Sequence, residues 1–174
     1  MVEVSHDHQA FLDLALPHLD VVWSVARRLG SRELEPEDLV QETYMRAYAS
    51  FGRFRGGDPR AWLVSICLNT ARSAGRRAKR RPREVPGPDE SIPSATDVGA
   101  EAMRSLERET IEEALAELPE PQRLAILLMD VSGLTAQQTA DVVGSPRGTI
   151  LARVHRGRRR LAHLLRERNP IDDV

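Results

Sequence analysis

Residues 133–165, GLTAQQTADVVGSPRGTILARVHRGRRRLAHLL, read as two helices with a three-residue turn between them. Thr135 is a good N-cap, and Gln138 three residues later completes a capping box. Ala140 and Val143 give the first helix a short apolar face. Gly144-Ser145-Pro146 then breaks it, with Gly at the helix C-terminus, Ser as the next N-cap and Pro at the first helical position. Ile150, Val154, Leu161 and Leu164 or Leu165 share one face of the second helix. This is the pattern of a helix-turn-helix.

The other face of the second helix is basic. Arg147, Arg153, Arg156, Arg158, Arg159 and Arg160 occur with no acid between them. A helix-turn-helix places the N-terminal part of its second helix in the major groove. Arg147, Thr149 and Arg153 sit there, and Arg156 lies one turn further on. Arg forks suit guanine edges and phosphates alike. A solvated basic face on an ordinary surface helix is the bland alternative, but cap, turn and charge agree along one segment.

Outward from that stretch, the 174-residue chain holds one domain or two small ones. Aromatics are only 4% against 41% hydrophobic residues, which suits helices packed by aliphatic side chains. No run of alternating β-branched residues argues for a sheet. No apolar run approaches a membrane span, and MVEVSHDHQAF lacks the regions of a signal peptide, so a cytoplasmic protein without membrane insertion is expected. The single cysteine, Cys67, excludes an internal disulfide framework; its apolar setting, LVSICLN, reads as core.

A net charge of −1 conceals segregation. Arg72, Arg76, Arg77, Lys79, Arg80, Arg81 and Arg83 form an acid-free basic block. Residues 84–120 then hold eleven acids against Arg104 and Arg108. With the helix-turn-helix, two basic blocks flank an acidic middle.

In chain order, residues 7–29 read as helix bent at Pro17, with Leu19, Val22, Trp23, Ala26 and Leu29 facing inward and Gly30 ending it. A helix over 36–50 starts at Pro36, and Glu37 and Asp38 complement its dipole. Leu39, Val40, Thr43, Tyr44 and Ala47 face inward; Asp38, Gln41, Glu42 and Met45 line an outward stripe. Phe51 and Phe54 anchor a loop. Gly56-Gly57-Asp58-Pro59 is a turn, with Asp58 as N-cap of a helix carrying Trp62, Leu63, Ile66, Cys67 and Thr70. Trp62 near a basic helix suits stacking of an unpaired base, although periodicity alone favours a core role. Residues 82–99 hold four prolines and two glycines and read as a flexible linker. An all-α chain is expected, with domains at 5–81 and 104–168 joined by a linker over 82–103. Helices over 101–118 and 121–131 complete the second domain, Met103 and Leu106 belonging to the apolar face of the former. The C-terminal IDDV is expected to fray.

Three segments in this order resemble the extracytoplasmic-function (ECF, group IV) sigma factors of bacterial RNA polymerase. They are EPEDLVQETYMRAYASFGRF, FRGGDPRAWLVSICLNTARS and LPEPQRLAILLMDVSGLTAQQTADVVGSPRGTILARVHRGRRRL. The resemblance implies a σ2 domain followed by a σ4 domain. It implies docking of Asp38, Gln41 and Glu42 on the β′ clamp helices of core polymerase, with the β flap as a further contact. It implies capture of a flipped-out base of the −10 promoter element by the loop and helix bearing Asp58, Arg60, Trp62, Asn69 and Arg72. It implies −35 recognition by Thr135, Arg147, Thr149, Arg153 and Arg156, and an anti-sigma factor as a further partner. Thr139 stands where the family usually has Ile, and Arg147, Leu151 and Ala152 also depart from the pattern.

The competing class is a stand-alone helix-turn-helix regulator, which leaves the DLVQE helix and the Trp62 loop unexplained. Catalysis is not expected. Glu35, Glu37, Asp38 and Glu42 have no His or Cys at ligand spacing, and His6-Asp7-His8 lies near the chain start. Neither a metal nor a cofactor is expected.

Overall fold

The computed structural model describes residues 6–29, 34–78 and 100–168, with side chains from residue 7 and, in the last stretch, from residue 108. Gly30, the basic residues Lys79 to Arg83, the segment 82–99, the Met103 and Leu106 side chains and the C-terminal IDDV lie outside what is described.

The described residues form helices only. The first unit comprises α1 (His6–Ala15), α2 (Leu19–Leu29), α3 (Pro36–Ser50) and α4 (Pro59–Ala78). The second comprises α5 (Ala100–Ala116), α6 (Glu120–Ile126), α7 (Ala136–Val143) and α8 (Arg147–Arg168). α6 runs on as a π-helical turn over Leu127–Val131, closed by Ser132 donating through both its N–H and its hydroxyl to the Leu127 carbonyl.

Pro17 does bend the first helix, as a 3₁₀ turn over Leu16–His18. The inward face after it differs from the sequence expectation. Val22, Val25 and Ala26 are fully buried, whereas Leu19 and Trp23 are 41% and 36% exposed. Val22, Val25, Ala26 and Leu29 form an i, i+3, i+4, i+7 stripe, and Leu19 and Trp23 lie to one side of its centre. α3 follows the expectation, burying Leu39, Thr43 and Ala47. The Thr43 hydroxyl donates to the Leu39 carbonyl at 2.6 Å, which removes the cost of burying it. Phe11 packs edge-to-face on Tyr44, Tyr48 and Phe51, joining α1 to α3. Cys67 is fully buried, and burial pushes its thiol up to about 11, against the opposing effect of the Thr43 hydroxyl.

In the second unit the helix-turn-helix is capped as the sequence implies. Thr135 Oγ1 accepts from the Gln138 N–H at 3.2 Å, and Gln138 Oε1 accepts from the Thr135 N–H at 2.8 Å. Gly144 takes the left-handed conformation at φ 72°, and its N–H and that of Ser145 both donate to the Ala140 carbonyl. Ser145 is not the cap of α8. The Pro146 carbonyl accepts the first helical bond, from Ile150, at 3.1 Å, while the Ser145 hydroxyl accepts from Arg153 Nη1 at 3.2 Å. The Arg fork two turns along competes successfully for that hydroxyl. α8 crosses α6 at Gly157, where an added Cβ would lie 2.7 Å from Ile126 Cδ1 and 3.3 Å from Gln122 Cβ. Thr139 is fully buried, and its hydroxyl has no hydrogen-bond partner among the described residues.

The two units meet along a seam. Leu124, Leu127, Leu128 and Leu134 of the second unit belong to the same buried cluster as Val22, Val25, Leu39, Leu63 and Val64 of the first. Full burial of such a leucine contributes about 1.5–3 kcal/mol relative to exposure. Arg27 of α2 and Glu112 of α5 form an ion pair across the seam at 2.6 Å.

Candidate functional site

α3 and the C-terminal half of α4 enclose an open groove of about 420 Å³. Asp38, Gln41 and Glu42 line it together, with Leu34, Met45 and Arg46 from the same side and Thr70, Ser73, Ala74 and Arg77 opposite. Leu39, Thr43 and Ala47 fix the inner face of α3, so the helical repeat sends Asp38, Gln41 and Met45 outward. Met45 is 61% exposed at the groove, an apolar side chain among charges. Glu42 is held by Arg46 one turn along, at 2.6 Å. Among the described residues the groove therefore offers two carboxylates, Asp38 and Glu42, an amide and an apolar contact, with Arg46 and Arg77 balancing the carboxylates. On its α3 side the exposed Asp38, Gln41 and Met45 offer a mixed polar and apolar contact surface.

At the other end of α4 the loop and helix start are tightly specified. Asp58 caps the helix, its Oδ1 accepting from the Arg60 N–H at 2.9 Å. Gly56 and Gly57 supply the positive φ values, 88° and 100°, that the preceding turn requires. Trp62 is half-buried against the first unit's core and lies over Phe54, ring centroids 4.7 Å apart. It is thus both a packing residue and a supported aromatic surface, so the two sequence alternatives merge. Asn69 is exposed two turns beyond Trp62 on the same side of the helix, followed by the exposed Arg76.

The remaining members of that predicted set point elsewhere. Asp58 Oδ2 accepts from Gln138 Nε2 of α7 at 2.8 Å. Arg60 lies against Gly133, its Nη1 2.8 Å from where a Cβ on that glycine would stand, and its Nε is buried without a hydrogen-bond partner among the described residues. Arg72 lines a seam cleft of about 240 Å³ with Arg28 of α2 and Glu120 and Arg123 of α6. In the sequence Gln138 reads only as a capping residue, and its reach to Asp58 carries no signal across a separation of 80 residues.

On α8, Arg147 and Arg156 are exposed, and Thr149 and Arg153 are half-buried. Thr135 is exposed, with its hydroxyl and N–H committed to the capping box. Arg158 belongs to a different surface, since its guanidinium forms a two-bond fork with Asp130. Arg168 is paired with Glu117 and Glu113, which ties the end of α8 to α5. The basic face is therefore not uniform: among the described residues Arg147 and Arg156 present exposed, unpaired forks, while Arg153 and Arg158 also brace the fold.

Among the described side chains no group of three or more His, Cys, Asp or Glu is placed to hold a metal ion. His8 instead packs its ring edge-on to Tyr48 at 5.3 Å. No described helix is long and apolar enough to cross a membrane.

Comparison with known proteins finds two family models in order: Sigma-70 region 2 over residues 14–81 and Sigma-70, region 4 over residues 108–161. The ECF RNA polymerase sigma factor SigE of Mycolicibacterium smegmatis is 32% identical over 88% of this chain, which spans 60% of that protein's length. The RNA polymerase sigma-H factor of Pseudomonas aeruginosa is 30% identical over 92% of this chain and 91% of its own. ECF RNA polymerase sigma factor EcfG of Rhodopseudomonas palustris is 40% identical over 74% of this chain and 70% of its own. Among solved structures, the sigma factor RpoE in complex with the anti-sigma factor NepR from Bartonella quintana superposes with a TM-score of 0.69 at 30% identity, covering 95% of this chain and 98% of that one. CnrH in complex with the cytosolic domain of CnrY gives 0.66 at 28% identity, covering 93% and 91%.

Proposed function

The chain belongs to the ECF RNA polymerase sigma factors, and we propose that it binds core polymerase and directs initiation at promoters through −10 and −35 recognition. It acts as a specificity subunit and not as an enzyme. The observation that carries this is the pairing, on one chain, of an open α3–α4 groove lined by Asp38, Gln41, Glu42 and Met45 with two separate surfaces suited to nucleic acid. A regulator acting alone has no use for that groove.

Asp38, Gln41 and Glu42 dock on the β′ clamp helices, Met45 supplying an apolar contact, and the second unit engages the β flap. Trp62, backed by Phe54, offers a stacking surface for an unpaired base of the −10 element, and the exposed Asn69 offers its amide to a base edge. Extruding a base costs a few kcal/mol, which the pocket must offset by stacking and hydrogen bonds. Asp58 holds the loop in shape by capping α4. Arg60 and Arg72 supply charge for the strand.

Arg147 and Arg156 read or clamp the −35 element in the major groove, with Thr149 beside them. Arg153 reaches the same edge while bracing the turn through Ser145. Thr135 contributes by fixing the start of α7. Its partners include an anti-sigma factor, as the RpoE complex suggests, and its place is the cytoplasm, where polymerase is.

The test is run-off transcription by purified core polymerase on a matched promoter. Addition of this chain should produce a discrete transcript. Duplex binding without any stimulation would return the reading to a stand-alone helix-turn-helix regulator.

A further inference from the structure

Arg28 of α2, Arg72 of α4 and Arg123 of α6 line one cleft of about 240 Å³. All three are half-buried, and among the described residues none of them forms an ion pair. The cleft carries a single carboxylate, that of the exposed Glu120. Leu68, Leu124 and Leu127 also line it and are buried. Apolar side chains thus replace water along part of its wall, and like charges gathered there repel more strongly than in solution. Three guanidiniums against one carboxylate leave a positive charge that the cleft's own residues do not balance.

Two of the forks are held in place. Arg28 Nη1 donates to the Ser24 carbonyl at 2.9 Å, and Arg123 Nη1 donates to the Ala116 carbonyl at 3.0 Å. Each bond uses one donor and leaves the rest of the fork open. It also orients the guanidinium before a ligand arrives, which lowers the ordering cost of binding. Arg28 Nε is buried and has no hydrogen-bond partner among the described residues. A buried donor left unmade is costly until an acceptor is brought to it. A second cleft, of about 320 Å³, adjoins the first through Arg28, Arg123 and Leu127. Its own Arg27 is paired with Glu112 at 2.6 Å, so the unbalanced charge belongs to the first cleft.

We propose that this cleft binds a compact oligophosphate, free or carried by a nucleotide. Planar guanidinium forks match phosphate oxygens in pairs. A chain of two or more phosphates presents oxygens to several forks at once, whereas a carboxylate offers only one edge. The site stands apart from the proposed function in all but one consequence. Arg72 is assigned above to the promoter strand, and an occupied cleft withdraws its charge from that role.

Calorimetric titration of the full-length chain with sodium pyrophosphate, near neutral pH and in physiological salt, tests the site. The chain should take up a single equivalent. Arg72→Gln and Arg123→Gln should each weaken binding by about tenfold or more, the usual effect of losing a charge-assisted contact. Helical circular dichroism should not change. Arg72→Gln is the decisive variant, because it removes no hydrogen bond or ion pair found among the described residues. Arg159→Gln, on the exposed face of α8, should leave the affinity as it is. Orthophosphate should bind at least about tenfold more weakly, since it meets fewer forks. A titration with ATP separates the two sources. Affinity equal to that of pyrophosphate supports a site for the phosphate chain alone, and tighter binding supports a nucleotide whose base enters the adjoining cleft. Absence of saturable uptake, or equal weakening by Arg159→Gln and Arg72→Gln, overturns the site. If pyrophosphate binds as expected but the chain yields no promoter-dependent transcript, the site stands and the proposed function falls.

Discussion

The two ends of α4 serve different masters. At its C-terminal half, α4 and α3 leave a groove in which Asp38 and Gln41 face solvent and Met45 stands exposed. At its N-terminus, Asp58 and Arg60 are engaged by α7 and the turn before it. The helix is rigid between them, built on the buried run Leu63, Val64, Cys67 and Leu68. A partner therefore finds one end ready and the other occupied by the chain itself. The contrast separates residues open to a partner from residues engaged within the chain.

The largest effect is expected at the ready end. Replacing Gln41 and Glu42 together by Lys turns a groove in which Asp38 and Glu42 balance Arg46 and Arg77 into a strongly basic one. Like charges facing across an interface cost several kcal/mol, so affinity for core polymerase should fall by about a hundredfold or more. Folding should be little affected, because the lost Glu42–Arg46 pair is largely exposed and such pairs contribute about 0–1 kcal/mol. Undiminished polymerase affinity, measured by titration, would remove the groove from the proposed interface.

At the occupied end the expected loss is smaller and of another kind. Trp62→Ala removes a stacking surface worth about 1–3 kcal/mol per base, so the rate of promoter opening should drop by roughly ten- to a hundredfold. Polymerase affinity should be retained. Trp62→Phe, which keeps an aromatic face over Phe54, should recover part of the rate. Loss of polymerase binding in Trp62→Ala would mean that the residue acts through the fold alone.

The second unit repeats the contrast on a single helix. Arg147 is exposed, and Arg158 is forked onto Asp130. Arg147→Ala should weaken −35-dependent transcription by about tenfold, within the 1–3 kcal/mol of one good base contact, and leave polymerase binding intact. Arg158→Ala should leave promoter strength nearly unchanged. Equal losses for the two would show that the basic face acts as an undivided electrostatic surface, which a salt titration of DNA binding would confirm.

What the sequence makes legible follows from the range of each signal. Caps, turns and periodic faces are local, so α3, α4, the capping box of Thr135 and Gln138 and the Gly144 turn can be read directly. The face of α2 cannot, because its many apolar residues allow two adjacent stripes, and only packing selects the one through Val22, Val25 and Ala26 and leaves Leu19 and Trp23 exposed. Gly157 looks like an interruption in a basic helix; its purpose is the close crossing with Ile126, visible only with α6 in place. Arg153 and Arg158 belong to one basic stripe in the sequence, and only tertiary contacts tell a brace from a free fork. The seam is the least legible feature. Leu127, Leu128 and Leu134 announce a core position, but nothing in their spacing says that the core is shared with Val22 and Leu39.

The smallest effect concerns the framework of the helix-turn-helix. Thr139 is fully buried, and its hydroxyl lacks a partner among the described residues. A buried polar group left unsatisfied costs about 1–3 kcal/mol, and Val matches Thr in shape and in β-branching, so helix propensity barely changes. Thr139→Val should therefore stabilise the chain by about 1 kcal/mol, raising the melting temperature by roughly 2–4 °C for a chain of this size. DNA recognition should not change, because the side chain faces the interior and the proposed contacts lie on α8. If stability falls instead, the hydroxyl is satisfied in solution, and the departure from the aliphatic residue usual in the family serves the turn's geometry.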